Sequence, residues 1–339
     1  MKKERATIHD ISKALGIDSS TVSRALNDSP RVSQKTKGLI IKKAKELGYQ
    51  RNSLASNLRT NKTHTIAVVI PRISRYFFST VIAGIEETAH EAGYNVLICQ
   101  SLDSIDREKK IMSTLISNRV DGIIISISME TTDYKHLEAY QSLEKPIIFF
   151  DRPCFLKNCS NITIDNVHAS FMATEHLISQ GCTRIAHLSG SQKIELYRQR
   201  QKGYMAALKK HNLEANAKHI FESGLSEEDG MASAKKILEL KGIDGVVSAN
   251  DTAAISAMKY FKTQGVKVPE DIAVVGFNND PISAIIEPSL TTIHQPAFEI
   301  GKMASRTLLE QMTDNLKEQQ ISSTLLDSEL IIRSSSQKK

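Results

Sequence analysis

Two hydrophobic periodicities divide the chain near residue 60. Before that point apolar residues recur at helical spacing. Ile8, Ile11 and Leu15 share one face of a short segment, and Val22, Ala25 and Leu26 share one face of the next. Ile40, Ile41, Ala44 and Leu47 are the inward set of a third helix. After residue 64 short β-branched runs alternate with amphipathic helical stretches. The first series is TIAVVI (65–70), a helix over 77–92, YNVLICQ (94–100), a charged helix near 106–118, GIIISIS (122–128), a further helix and PIIFFD (146–151). The second is RIAHLSG (184–190), helices near 198–211 and 226–240, GVVSAN (245–250), a helix over 251–264 and IAVVGFN (272–278). Continuous apolar strands separated by helices indicate parallel sheets covered on both faces. Two such series predict a two-lobed, doubly wound α/β core behind a small helical head, with ligands held in the cleft beyond the strand ends.

Local signals sharpen the head. Thr7 followed by Asp10 has the form of a capping box with a shorter acid. Gly16 permits a tight turn, and Asp18 or Ser19 caps a second helix. That helix turns Ser19, Ser20, Ser23 and Arg24 outward. Short hydroxyls let a helix lie close to a groove, and an arginine can hold guanine with two hydrogen bonds. Ser33 caps the third helix, whose lysines are expected to approach phosphates. The arrangement is that of a helix–turn–helix, which sets the start of its second helix in the major groove.

Charge supports a polyanion partner for this part alone. Residues 1–62 carry 14 Lys/Arg against five acids, a net +9, whereas the whole chain is only +6 and the remainder is therefore −3. Nothing approaches the roughly 18 apolar residues of a membrane span, and MKKERATIHD lacks the apolar segment of a signal peptide. Cys99, Cys154, Cys159 and Cys182 form neither a CxxC nor a disulfide framework. A reducing, cytoplasmic setting is expected, with no metal and no cofactor. No dinucleotide fingerprint, Walker loop, HExxH or GxSxG occurs, so no enzyme motif competes.

TIHDISKALGIDSSTVSRALN resembles the DNA-binding head of the LacI/GalR (lactose-repressor/galactose-repressor) family, and the resemblance continues along essentially the whole chain. It implies base and phosphate contacts from Thr7, Ser19, Ser20, Thr21, Ser23, Arg24 and Asn27. NSLASNLRT (52–60) is similar to the family hinge, which implies DNA contacts from Asn52, Ala55, Leu58 and Arg59, with Leu58 as a wedge in the minor groove. Arg51 replaces the proline common before that hinge. The implied layout is a head over 1–50, a hinge over 51–62 and a core over 63–339. Lobe one of the core would comprise 63–164 and 296–322, and lobe two 165–295 and 323–335.

In the core, DGIIISIS, RQKGY, SANDTAAISAM and PEDIAVVGFNNDPIS are family-like. By that resemblance Phe77, Asp151, Arg200, Asn250, Asn278 and Gln295 contact a small-molecule effector, a sugar or related metabolite; the alternative for Asp151 is a structural acid paired with Arg152. Asn278 stands where sugar binders of the family usually have aspartate; they also often carry an aromatic near Leu225, and this chain has no Trp. A modified sugar, an oligosaccharide fragment or an anionic metabolite therefore stays open. The tail SSSQKK has no leucine heptads, so a homodimer on a palindromic operator is expected. The competing reading is a solute-binding module with the same core, disfavoured by the basic head.

Overall fold

The computed structural model describes residues 6–49, 62–313 and 323–338. The chain divides into two compact units, Met1–Thr63 and His64–Lys339. In the first, helices α1 (Ile8–Leu15), α2 (Ser19–Leu26) and α3 (Gln34–Glu46) enclose a core of Ile11, Val22, Ala25, Val32, Ile40 and Ala44. The capping box at α1 forms as expected. The Asp10 amide donates to Thr7 Oγ1 at 3.3 Å and the Thr7 amide to Asp10 Oδ2 at 2.8 Å. Gly16 takes φ 64°, the left-handed turn that lets α2 fold back on α1. Asp18, not Ser19, caps α2 by accepting from the Ser20 amide at 2.7 Å. Two expected core residues are not interior: Ile41 is 46% and Leu47 40% exposed. A helix this small buries one narrow stripe, and Ile40 with Ala44 one turn on occupies it.

The second unit holds two six-stranded sheets. The first contains β1 (Thr65–Ile70), β2 (Asn95–Gln100), β3 (Gly122–Ile125), β4 (Ile147–Phe150), β5 (Ser160–Ile164) and β11 (Ser323–Leu326), in the order β11-β5-β4-β3-β1-β2 and all parallel. The second contains β6 (Ile185–Ser189), β7 (Ile220–Glu222), β8 (Gly245–Ser248), β9 (Ala273–Asn278), β10 (Thr291–His294) and β12 (Glu329–Ile331). Its order is β12-β10-β9-β8-β6-β7, and only β12 runs antiparallel. Helices α4 (Tyr76–Glu91), α5 (Ile105–Ser117), α6 (Lys135–Gln141) and α12 (Ala297–Thr313) belong to lobe one. Lobe two has α7 (Asn166–Ser179), α8 (Glu195–Lys210), α9 (Glu227–Glu239), α10 (Asp251–Thr263) and α11 (Ile282–Ile285).

One lobe boundary is corrected. Residues 323–326, expected in lobe two, pair with β5 of lobe one (Ser323 opposite Asn161, Leu326 opposite Ile164). The last crossing therefore falls at 327–328, and only β12 joins the second sheet. The short edge strands carry too few apolar residues to show a period, so the sequence pattern did not separate them. The edge strand β2 also departs from two-sided burial, with Leu97 and Ile98 37% and 42% exposed.

Helices α4 and α12 cross at paired glycines. A Cβ on Gly84 would strike the Phe298 carbonyl oxygen, and one on Gly301 the Val81 carbonyl oxygen. Both obstacles are backbone, so neither can swing aside. Gly301→Ala is expected to destabilise the core by about 1–3 kcal/mol, the usual cost of overpacking. A denaturant melt in which Gly301→Ala matched the parent would refute this close approach.

Candidate functional site

The exposed face of α2 presents the expected polar set. Ser20, Arg24 and Asn27 are exposed and Ser19, Thr21 and Ser23 partly so, while Val22 and Ala25 are buried beneath them. Two of these side chains have local duties. The Thr7 hydroxyl works in the capping box, and Asn27 Nδ2 donates to the Ser23 carbonyl at 2.7 Å, closing the last turn of α2. Bonds from Thr7 hold the Asp10 carboxyl below its ordinary range, and bonds from Ser20 do the same for Asp18. One lysine of α3 is not available to phosphates. Lys37 is buried, its ammonium 2.5 Å from Asp28 Oδ1 and 3.1 Å from the Asp28 carbonyl. Asn52, Ala55, Leu58 and Arg59 lie outside the described residues.

In the second unit a cavity of about 820 Å³ opens between the lobes. Phe77, Asp151, Arg200, Asn250 and Asn278 all line it, five of the six expected residues. They come from five places in the chain: the first turn of α4, the residue after β4, the interior of α8, the turn after β8 and the end of β9. Gln295 is not on the wall. It is buried and donates through Nε2 to Asn278 Oδ1 at 2.7 Å, so it orients Asn278 from behind. Like Asp151 it directly follows a strand, one residue after β10, but its amide is engaged with Asn278.

Arg200 anchors one wall. Its Nε donates to Asn166 Oδ1 at 2.9 Å and its Nη1 to the Ala249 carbonyl at 2.7 Å, and the guanidinium lies 3.5 Å over the Phe277 ring. The second terminal nitrogen, Nη2, is buried without a partner. Burial lowers the Arg200 pKa to about 10, opposed by Asp151, so the group stays charged at neutral pH. Burial pushes the Asp151 carboxyl up, while Arg152 and Arg200 pull it down. Asp151 lines the cavity and also lies 4.0 Å from Arg152 Nε, the pairing expected of a structural acid. Asn250 caps α10, with Oδ1 accepting from the Ala253 amide at 2.8 Å and Nδ2 donating to the Leu225 carbonyl at 3.0 Å. One N–H and one lone pair of its amide remain for a ligand.

Several lining residues were missed. Arg152 bridges Asp103 Oδ1 and the Ile127 carbonyl, each at 2.6 Å, and its Nε lacks a hydrogen-bond partner. Asp280 lines the opposite lobe with Oδ1 unpartnered, and burial raises its pKa to about 6 against the pull of Arg75. Its neighbour Asp251 is raised by burial to about 7. The spacing of Asp280, two residues past a strand end already assigned to the site, was the available signal. Backbone conformation marks the same region: Leu102, Asp103, Asp151, Leu225, Asn278 and Asn279 all take positive φ, between 53° and 112°. Such strain gathers where a binding surface fixes side chains against local preference.

A carboxyl raised by folding favours the native state below its unfolded pKa and loses that contribution as pH rises through the folded value. Asp280→Asn should therefore stabilise the protein by about 1–2 kcal/mol at pH 8 and by little at pH 4, since one pKa unit is worth 1.36 kcal/mol. Chemical denaturation at the two pH values checks it, and equal gains at both would contradict the assignment.

Comparison with known proteins agrees with both units. Residues 7–52 match the model for bacterial regulatory proteins of the lacI family, and residues 174–336 match the periplasmic binding protein-like domain. The chain is 34% identical over 331 residues to the HTH-type transcriptional repressor CytR of Escherichia coli K12, covering 97% of this chain and 96% of the relative. Among solved structures, the transcriptional regulator CelR–cellobiose complex superposes with a TM-score of 0.75 at 25% identity, covering 98% of this chain and 100% of the other. A LacI family regulator from Enterococcus faecium with bound ribose gives 0.73 at 25% identity, over 80% of this chain and 98% of its own. An exposed helix–turn–helix face, a two-lobed core with an open cleft, and near full-length similarity to a repressor converge: the chain belongs to the lacI family of bacterial regulatory proteins and is a DNA-binding transcriptional regulator.

Proposed function

We propose that the protein represses transcription by binding a palindromic operator as a homodimer in the cytoplasm, and that a neutral, polyhydroxylated molecule in the interlobe cleft controls it. The observation that carries the effector half is the polar lining of the cavity, where Arg152, Arg200 and Asp280 each keep a buried polar atom without a partner: Arg152 Nε and Arg200 Nη2 as donors, Asp280 Oδ1 as acceptor. Buried polar groups without partners are costly. A ligand offering both hydroxyl oxygens and hydroxyl protons matches a lining that holds arginine donors beside carboxylate acceptors. The charged wall comprises Arg72, Arg75, Arg152 and Arg200 against Asp103, Asp151, Glu227, Glu228, Asp229 and Asp280. That excess of acid disfavours a strongly anionic metabolite, and sugars or nucleosides fit better. The relatives' cellobiose and ribose complexes have ligands of this chemistry. No catalytic role is assigned to these residues.

Thr7, Ser19, Ser20, Thr21, Ser23, Arg24 and Asn27 are the proposed DNA face of the head, and Asn52, Ala55, Leu58 and Arg59 its continuation. Exposed Leu97 and Ile98 on β2 and Ile282 and Ile285 on α11 give the core apolar surface for pairing. Arg24→Ala should lose about 1–3 kcal/mol at one base-pair position of each half-site. A binding-site selection returning an unchanged preference would remove Arg24 as a base reader. For the effector, a thermal-shift screen of neutral sugars and nucleosides is the direct test, since a true ligand stabilises by mass action.

A further inference from the structure

Arg75 occupies the N-cap of α4, where Ser, Thr, Asp or Asn usually accepts from the first helical amides. An arginine has no acceptor, and it makes no cap hydrogen bond. Its guanidinium instead leaves lobe one and reaches lobe two. Nη1 donates to Thr252 Oγ1 at 2.5 Å and Nη2 to the Leu225 carbonyl at 3.1 Å. Among the described residues these are the side-chain hydrogen bonds that join the two walls of the cavity directly. The receiving side is well fixed. The Leu225 carbonyl also accepts from Asn250, and Thr252 stands in the first turn of α10. Asp280, whose carboxyl feels the Arg75 charge, adds attraction from the same lobe.

We propose that Arg75 is the residue that sets closure of the cleft, a latch holding the lobes together before any ligand arrives. A charged donor on neutral acceptors makes strong bonds when partly desolvated. Opening the lobes would break both bonds together while leaving each lobe's own fold intact. The latch thus biases the closed arrangement and sets how much of the protein is open to admit a ligand. Only that last consequence rests on the cleft being the effector site; the latch itself is testable without ligand or DNA.

Met129 provides the readout. It belongs to the loop after β3 in lobe one yet packs against the hydrophobic cluster of lobe two, and it shares no hydrogen bond with Arg75. Its thioether should become more accessible only when the lobes part. The full chain, free of ligand, is treated with dilute hydrogen peroxide, and methionine oxidation is mapped by mass spectrometry. Met112 and Met258, buried one in each lobe, serve as internal controls. Arg75→Met, which keeps an apolar stem and removes the donors, should speed oxidation of Met129 several-fold over those controls. Thr252→Val should act in the same direction, and the double variant should exceed Arg75→Met little. Should Arg75→Met fail to fold, Thr252→Val alone carries the test, and Arg75→Lys should fall between parent and Met. An unchanged Met129 rate in the folded variants would overturn the latch. So would additive effects of the two substitutions, because one shared bond cannot be lost twice.

Discussion

A chain beginning at Thr63 is expected to bind operator DNA at least about a thousand-fold more weakly than the full chain, which is the lower end of the usual gap between specific and non-specific binding. The reason is both chemical and electrostatic. Residues 1–62 hold the exposed hydroxyls, Arg24 and the whole positive excess of +9, and the remainder is −3. A core with net negative charge repels a polyanion instead of releasing its counterions. Mobility-shift titration of both chains at one salt concentration is the measurement. In the full chain affinity should fall steeply with salt, with a slope set by phosphate contacts. Lys37 should contribute nothing to that slope, because its ammonium is committed to Asp28 inside the head. Retained operator affinity in the truncated chain would place the DNA site in the core.

Arg200→Ala has the second large effect, and it is twofold. Its loss strands Asn166 Oδ1, frees the Ala249 carbonyl and strips the cation from the face of Phe277. Deleting hydrogen bonds to a charged buried group costs on the order of 3 kcal/mol. For a core of this size each kcal/mol lowers Tm by about 2–4 °C, so a drop of roughly 6–12 °C is expected. Below that melting temperature, ligand-free DNA binding should stay near the parent value, since the head folds around its own core. The ligand response should disappear, because the guanidinium that lines the cavity goes with the side chain. A variant responding at the parent's ligand concentration would move the site away from Arg200.

Much of this was legible in the residues. The capping box of Thr7 and Asp10, the glycine turn and the inward Val22 and Ala25 were all readable because each rests on a short-range steric or hydrogen-bonding rule. The long apolar strands β1 and β9 were equally plain. What escaped depended on distant partners. Lys37 looks like any surface lysine until Asp28, at φ 52°, turns its carboxylate and carbonyl onto it. Strand β11 pairs with β5, some 160 residues earlier, and nothing local in Ser-Thr-Leu-Leu announces which sheet it will join. The cavity shows the same division. Residues at strand ends were found by motif, whereas Gln295 was placed on the wall although it supports Asn278. Arg75 and Asp280 were missed because their meaning lies in what faces them from elsewhere in the chain. Arg75 did leave one trace, an arginine at a helix start that favours short acceptors.

Occupation of the cleft and occupation of the operator are expected to be coupled. The most direct test is a pair of titrations with a compound that stabilises the protein in the thermal-shift screen. Operator affinity is measured by fluorescence anisotropy with and without saturating compound, and compound affinity is measured with and without operator. Linkage requires the two ratios to be equal, and a coupling of about 1–3 kcal/mol predicts a change of roughly 5- to 150-fold in each. Arg200→Ala should bring both ratios to one. Operator affinity that is the same with and without a compound bound in the cleft would contradict the account.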